Sequence, residues 1–140
     1  MKQQPSKLKY KKNHKIKKSF FYLKEQKRFI PYFGNYALKA IEAGKLTFKQ
    51  IEACRKSIKR KIKRYGGLII RVFTSYSITK KAVGIRMGKG KGNHSYWMCA
   101  VRAGQIICEI FCISPLKAYL ALSGAVNKLP IKVKLVKLSY

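Results

Sequence analysis

The sequence predicts an α+β fold: two packed helices on a mixed, mostly antiparallel sheet, preceded by an extended basic N-terminal arm. Three observations predict it. A helical stripe of apolar residues lies at three- and four-residue steps between 47 and 65. Short extended runs recur at 68–73, 96–103, 105–112 and 131–138. The first 28 residues are lysine-rich and lack any such pattern. The chain therefore divides into an arm, 1–28, and one domain, 29–140.

The arm carries Lys2, Lys7, Lys9, Lys11, Lys12, Lys15, Lys17, Lys18, Lys24, Lys27 and Arg28, interleaved with Tyr10, Phe20, Phe21 and Tyr22. Disordered tails are poor in aromatic rings, so these predict an arm that docks on a surface offering negative charge and flat faces. Residues 29–41 mix aromatics with Gly34 and Asn35 and read as irregular and extended. Thr47 and Gln50 have capping-box spacing, and Ile51, Cys54, Ile58, Ile62 and Tyr65 form the stripe that follows. Gly66 and Gly67 are the expected left-handed stop. The other faces of this helix carry Lys49, Arg55, Lys56, Lys59, Arg60, Lys61, Lys63 and Arg64, more cations than the helix dipole requires.

LIIRVF (68–73) predicts a strand containing Arg71, and a second extended piece is expected over 78–85. YWMCAVRA (96–103) and QIICEIFC (105–112) read as a hairpin turning at Ala103–Gly104. Ser114 and Pro115 open a second helix whose apolar side is expected at Leu116, Tyr119, Leu120, Leu122 and Val126. Leu129–Pro130 ends it, and IKVKLVKL (131–138) alternates as a half-buried strand does.

Charge narrows the function. Of 140 residues, 33 are Lys or Arg, and the only acids are Glu25, Glu42, Glu52 and Glu109, for a formal charge of +29. So unbalanced a chain calls for a polyanion, and nucleic acid is the strong inference. No stretch reaches the roughly 18 apolar residues of a membrane span, and no signal-peptide segment is present. Four glutamates leave almost no room for general acid–base pairs, so an enzyme is not expected. His14 and His94 have no partner at a recognisable spacing, and His94 reads as a polar loop residue or RNA contact. Cys54, Cys99, Cys108 and Cys112 lack two close pairs, so packed, reduced thiols are expected rather than a metal site. No cofactor and no small-molecule substrate are expected.

The segment RMGKGKGN (86–93) is neither GxxxxGK[ST] nor GxGxxG, and it lies between two strands, so a nucleotide-binding loop is not expected. Glycines instead let backbone N–H groups approach phosphates, while Arg86, Lys89 and Lys91 add positioning charge.

These residues carry a resemblance. PSKLKYKKNHK (5–15), FGNYALKAIEAGKLTFKQIEACRKSIKRKIKR (33–64), IRVF (70–73), IT (78–79), VGIRMGKGKGN (83–93), YW (96–97), Gly104, Glu109 and KLPIK (128–132) occur in the order seen in one family. The chain resembles the universal large-subunit ribosomal protein numbered sixteen, over about residues 5–137. It departs from the family's pattern at Ile16, at Gly66-Gly67-Leu68-Ile69, and at Thr74-Ser75-Tyr76-Ser77, where the family has a Pro-Asp-Lys-Pro turn.

The resemblance implies a structural constituent of the large ribosomal subunit. It would bind large-subunit rRNA near the aminoacyl-tRNA site and support subunit assembly and tRNA accommodation. Its implied partners are that rRNA, tRNA in the aminoacyl site and neighbouring large-subunit proteins. The RNA-binding residues expected are Lys9, Lys11, Lys12, His14 and Lys15 in the arm and Arg55, Lys59 and Arg60 on the first helix. In the loop they are Arg86, Gly88, Lys89, Gly90, Lys91, Gly92 and Asn93. The alternative is a generic nucleic-acid-compacting protein, for which charge alone would suffice. Lysine outnumbers arginine 26 to 7, a bias that suits an A/T-rich genome. The expected compartment is a mitochondrial ribosome with an organelle-encoded gene, with plastid or bacterial cytoplasm as alternatives.

Overall fold

The computed structural model describes residues 4–22, 31–112 and 114–137. Lys2, Lys24, Lys27 and Arg28 of the expected arm lie outside the described residues, as does Glu25. The elements run α1 (Ser19–Tyr22), β1 (Tyr36–Ala40), β2 (Gly44–Thr47), α2 (Phe48–Ile62), β3 (Gly66–Ile70), β4 (Tyr76–Lys80), β5 (Asn93–Val101), β6 (Ile106–Cys112), α3 (Pro115–Val126) and β7 (Val133–Lys137).

The fold class is α+β, but the strands form two sheets rather than one. The first has the order β3-β6-β1-β7 and the second β2-β5-β4, and every pairing described is antiparallel. The expected hairpin between residues 96–103 and 105–112 does not form. β5 lies between β2 and β4, and β6 lies between β1 and β3. Both edges of each strand are already taken, β5 by β2 and β4 and β6 by β1 and β3, so neither has an edge left for the other. The turn joining them is a corner between sheets. Gly104 takes φ 88°, its amide donates to the Ala40 carbonyl at 2.7 Å, and the Gln105 carbonyl accepts from the Ala40 amide at 2.9 Å.

α2 starts as its sequence dictates. The Thr47 side chain accepts from the Gln50 amide and the Gln50 side chain accepts from the Thr47 amide, satisfying donors that the helix start leaves free. Ile51, Cys54, Ile58 and Ile62 are buried. Tyr65 is not part of that stripe: it lies past the helix end, 58% exposed, with the Lys117 ammonium 3.3 Å from its ring centre. The stop also differs from expectation. Lys63, at φ 53°, caps the helix, while Gly66 and Gly67 already belong to β3. Gly66 is needed for a different reason, since a Cβ there would run into the Phe111 carbonyl across the ladder.

Two apolar clusters result. Leu38, Cys54, Ile58, Ile62, Cys108, Ile110, Cys112 and Leu122 form the one between the four-stranded sheet and both helices. Leu46, Ile51, Val72, Val101 and Ile107 form the one where the two sheets meet. On α3 the large residues mislead. Its buried side is Ala118, Ala121, Leu122 and Ala125, whereas Leu116, Tyr119 and Leu120 are exposed. Small side chains let α3 approach α2 closely enough for Lys61 Nζ to donate to the Leu120 carbonyl at 2.8 Å, and Ser57 Oγ to that of Gly124 at 3.3 Å. Residues 36–40, expected to be extended but irregular, form the regular interior strand β1, and a second strand before the helix, β2, was not anticipated. Arg71 falls just after β3, although its amide still donates to the Ile107 carbonyl at 2.9 Å.

Glu109, in the middle of β6, is 1% exposed. Its Oε2 accepts from the backbone amides of Tyr32, Phe33 and Gly34 at 3.0, 2.6 and 3.0 Å, and its Oε1 accepts from the Arg71 guanidinium. Removing one partner of a buried pair leaves the other charge uncompensated, at a cost of about 3–5 kcal/mol. Glu109→Ala should therefore lower the free energy of unfolding by about that amount in urea titrations. A loss under about 1 kcal/mol, the scale of an exposed pair, would contradict the structural weight given to this carboxylate.

Candidate nucleic-acid interface

Residues 81–92 form the loop between β4 and β5, and nearly all of them are exposed. Gly84, Gly88 and Gly90 have φ of 85°, 96° and 80°, and Lys89 itself sits at 53°. At Gly88 and Gly90 nothing lies near the place a Cβ would occupy, so conformation, not space, calls for glycine there. Gly92 has the opposite reason. A Cβ would come 2.6 Å from the carbonyl of Lys80, where the loop closes on its own stem. Lys81 Nζ spans the loop to the Gly88 carbonyl. Val83 and Met87 are each 97% exposed, an apolar component that a reading of charge alone missed.

The arm lies against this loop. Lys12 Nζ donates to the Lys91 carbonyl at 3.1 Å, and Lys91 Nζ donates in return to the Asn13 carbonyl. Farther along, Phe20 of α1 lies under the Arg102 guanidinium, 4.1 Å from its carbon, at the corner between β5 and β6. His14 and Lys15 line a shallow hollow with Phe20 and Tyr76. The structure thus joins Lys12 to Lys91 of the loop, while His14 and Lys15 lie farther along, by Tyr76 at the start of β4; Lys9, Lys11, Arg86 and Lys89 are exposed, and Asn93 is at the loop's exit. The arm is not extended throughout, since α1 adds one helical turn.

The helix residues are a separate group. Lys59 and Arg60 are exposed on α2. Arg55 is held in a two-pronged pair by Glu52, Nε to Oε2 at 2.9 Å and Nη2 to Oε1 at 2.7 Å. Its hydrogen bond holds the Glu52 carboxyl below the usual carboxylate value. Lys61, expected among the cationic faces, is turned instead to α3.

The four cysteines are free and buried. Cys54 and Cys108 lie in one buried cluster, and the interaction with Cys54, together with burial, pushes the Cys108 thiol well above its ordinary value. Among the described residues, no three or more His, Cys, Asp or Glu side chains are grouped so as to hold a metal ion, and no helix is long and apolar enough to cross a membrane.

Comparison with known proteins decides the family. The profile of ribosomal protein L16p/L10e matches residues 5–136. The chain belongs to the ribosomal protein L16p/L10e family. Large ribosomal subunit protein uL16 of Psychrobacter arcticus is 42% identical over 134 residues, 96% of each chain. That of Buchnera aphidicola is 43% identical over 129 residues, 92% of each. That of Thioalkalivibrio sulfidiphilus is 49% identical over 104 residues, 74% of this chain and 76% of the relative. L16p/L10e membership makes the chain a ribosomal component and not an enzyme. These relatives are bacterial, in line with the bacterial alternative, and they lend no support to the mitochondrial placement.

Freeing Arg55 tests whether the α2 face meets phosphate. Glu52→Gln should raise the affinity of the full chain for RNA and steepen its logarithmic salt dependence by about 0.7–0.9, the value of one added phosphate contact. An unchanged slope would remove Arg55 from the interface. The sign with pH follows from the lowered carboxyl. The pair's small contribution to stability is present above the unfolded-state value near 4.5 and is lost as pH falls through the folded-state value, a loss that Glu52→Gln should abolish.

Proposed function

We propose that this chain is a structural constituent of the large ribosomal subunit that binds large-subunit rRNA near the aminoacyl-tRNA site. The observation that carries the reading is the junction of arm and glycine loop. Two cationic segments 79 and 78 positions apart in sequence are held together by the Lys12–Lys91 and Lys91–Asn13 bonds. The three described carboxylates are all engaged elsewhere, Glu42 with Lys132, Glu52 with Arg55 and Glu109 with Arg71. The joined surface is left with lysine ammonium groups, exposed backbone and an apolar tip. A structured RNA supplies the matching set of phosphates and flat faces.

In this reading Lys9, Lys11, Lys12, His14 and Lys15 fix the arm on the RNA backbone. Arg86, Gly88, Lys89, Gly90, Lys91, Gly92 and Asn93 place the loop, and Lys59, Arg60 and Arg55 add phosphate contacts from α2. Phosphate contacts position rather than read sequence, which suits a protein that orders RNA during subunit assembly and tRNA accommodation. The relatives support a ribosome of bacterial type, with neighbouring large-subunit proteins as further partners. A generic compacting protein would need charge only, and a loop with four residues in left-handed conformation at fixed places is more than charge requires.

Lys89→Ala with Lys91→Ala is the decisive variant. Its unfolding midpoint should stay close to that of the unaltered chain, because both residues are exposed and the Lys91–Asn13 bond ties the loop only to the arm. In cells relying on it, mature large subunits should fall several-fold in sucrose-gradient profiles, or tRNA occupancy of the aminoacyl site should drop. Normal profiles together with normal tRNA binding would remove the loop from the function.

A further inference from the structure

β5 contains an irregularity with a chemical consequence. Ile78 pairs with Tyr96 but Thr79 pairs with His94, so Ser95 is the extra residue of a bulge. Strict alternation would send His94 and Trp97 to opposite faces of the sheet. The bulge turns them together, with ring centres 4.7 Å apart. His94 is also fixed from β4, where Ser77 Oγ lies 2.7 Å from its Nδ1, and Ser77 is only 6% exposed.

The His94–Trp97 pair forms one wall of a cleft of about 490 Å³, within the roughly 300–1,000 Å³ range of small-ligand sites. Phe48 and Lys49, at the start of α2, and Tyr96 form other walls, and Gln4 of the arm reaches its edge. The cleft therefore offers the rings of Phe48, His94 and Trp97, with His94 locked in place, and a single charge, the exposed ammonium of Lys49. A flat group with an anion attached fits that set better than an aliphatic side chain or a free phosphate does.

We infer that this cleft takes one unpaired nucleotide of RNA, its base stacked on the rings and its phosphate beside Lys49. This rests on the RNA-binding reading above but adds a site outside the arm and the loop, one that contacts a base rather than the backbone. Such stacking tolerates any base, because every base has a flat face.

Trp97 is the only tryptophan in the chain, so its emission reports on the cleft directly. The full chain is titrated at physiological salt with labelled oligoadenylate, and with an abasic oligomer of equal length and charge. Oligoadenylate should alter Trp97 emission and bind about tenfold more tightly than the abasic oligomer, which should bind by charge with emission unchanged. Phe48→Leu should shrink the tenfold difference while leaving abasic binding as it was, and Trp97→Leu, read through the label on the oligomer, should do the same. Equal affinities and equal emission for the two oligomers would overturn the cleft while leaving charge-driven binding at the arm and loop intact. A tenfold preference that survives both substitutions would place the base elsewhere and also overturn it. If neither oligomer binds, the RNA reading falls and the cleft with it.

Discussion

One carboxylate organises this molecule. Glu109 sits in the central part of the four-stranded sheet, where an unpaired charge could not be kept, and is satisfied by three successive amides and one guanidinium. The amides belong to residues 32–34, the segment that leads into β1. The guanidinium belongs to Arg71, which opens the connection from the first sheet to β4. Gly34 completes the fit, since a Cβ there would lie 2.6 Å from the Ile110 carbonyl. Both features that face outward with surplus charge are thereby referred to one point. The arm precedes the segment that Glu109 binds, and the glycine loop follows the strand that Arg71 leads into.

From that point outward, electrostatics changes character. Inside, a rare acid is matched to specific donors. Outside, lysines far outnumber the acids that could meet them, and the arm and loop are joined through lysine-to-carbonyl bonds rather than ion pairs. Such bonds fix geometry without neutralising charge. The surface thus keeps its attraction for a polyanion while being shaped in advance, which lowers the ordering cost of binding. The buried sulfur of Cys54 and Cys108 and the alanine face of α3 hold the helices against the sheet, so the shape survives the self-repulsion of a +29 chain.

Much of this was legible in the sequence. The capping box at Thr47 and Gln50, and the stripe at Ile51, Cys54, Ile58 and Ile62, follow from local rules and stand as expected. The glycine loop and the α+β class were also legible, and the family resemblance was carried by motifs that the profile match covers. What escaped was non-local. Nothing near residues 96–112 says that β5 and β6 serve different sheets, because a tight turn looks alike whether it closes a hairpin or turns a corner. The buried side of α3 escaped because alanines, not large residues, mark close helix contact. Glu109 was visible as a scarce acid, but its partners lie 38 to 77 positions away. The His94–Trp97 pairing escaped because a bulge overrides the alternation from which faces are read.

On the proposed function, arm and loop form one RNA-facing surface. Ultraviolet cross-linking in the native lysate tests it most directly, with the attached RNA sequenced and the cross-linked residues mapped. Cross-links from residues 9–15 and 86–93 should converge on one region of large-subunit rRNA around the aminoacyl-tRNA site. Cross-links scattered over unrelated RNAs would mean that net charge alone governs binding, and would contradict it.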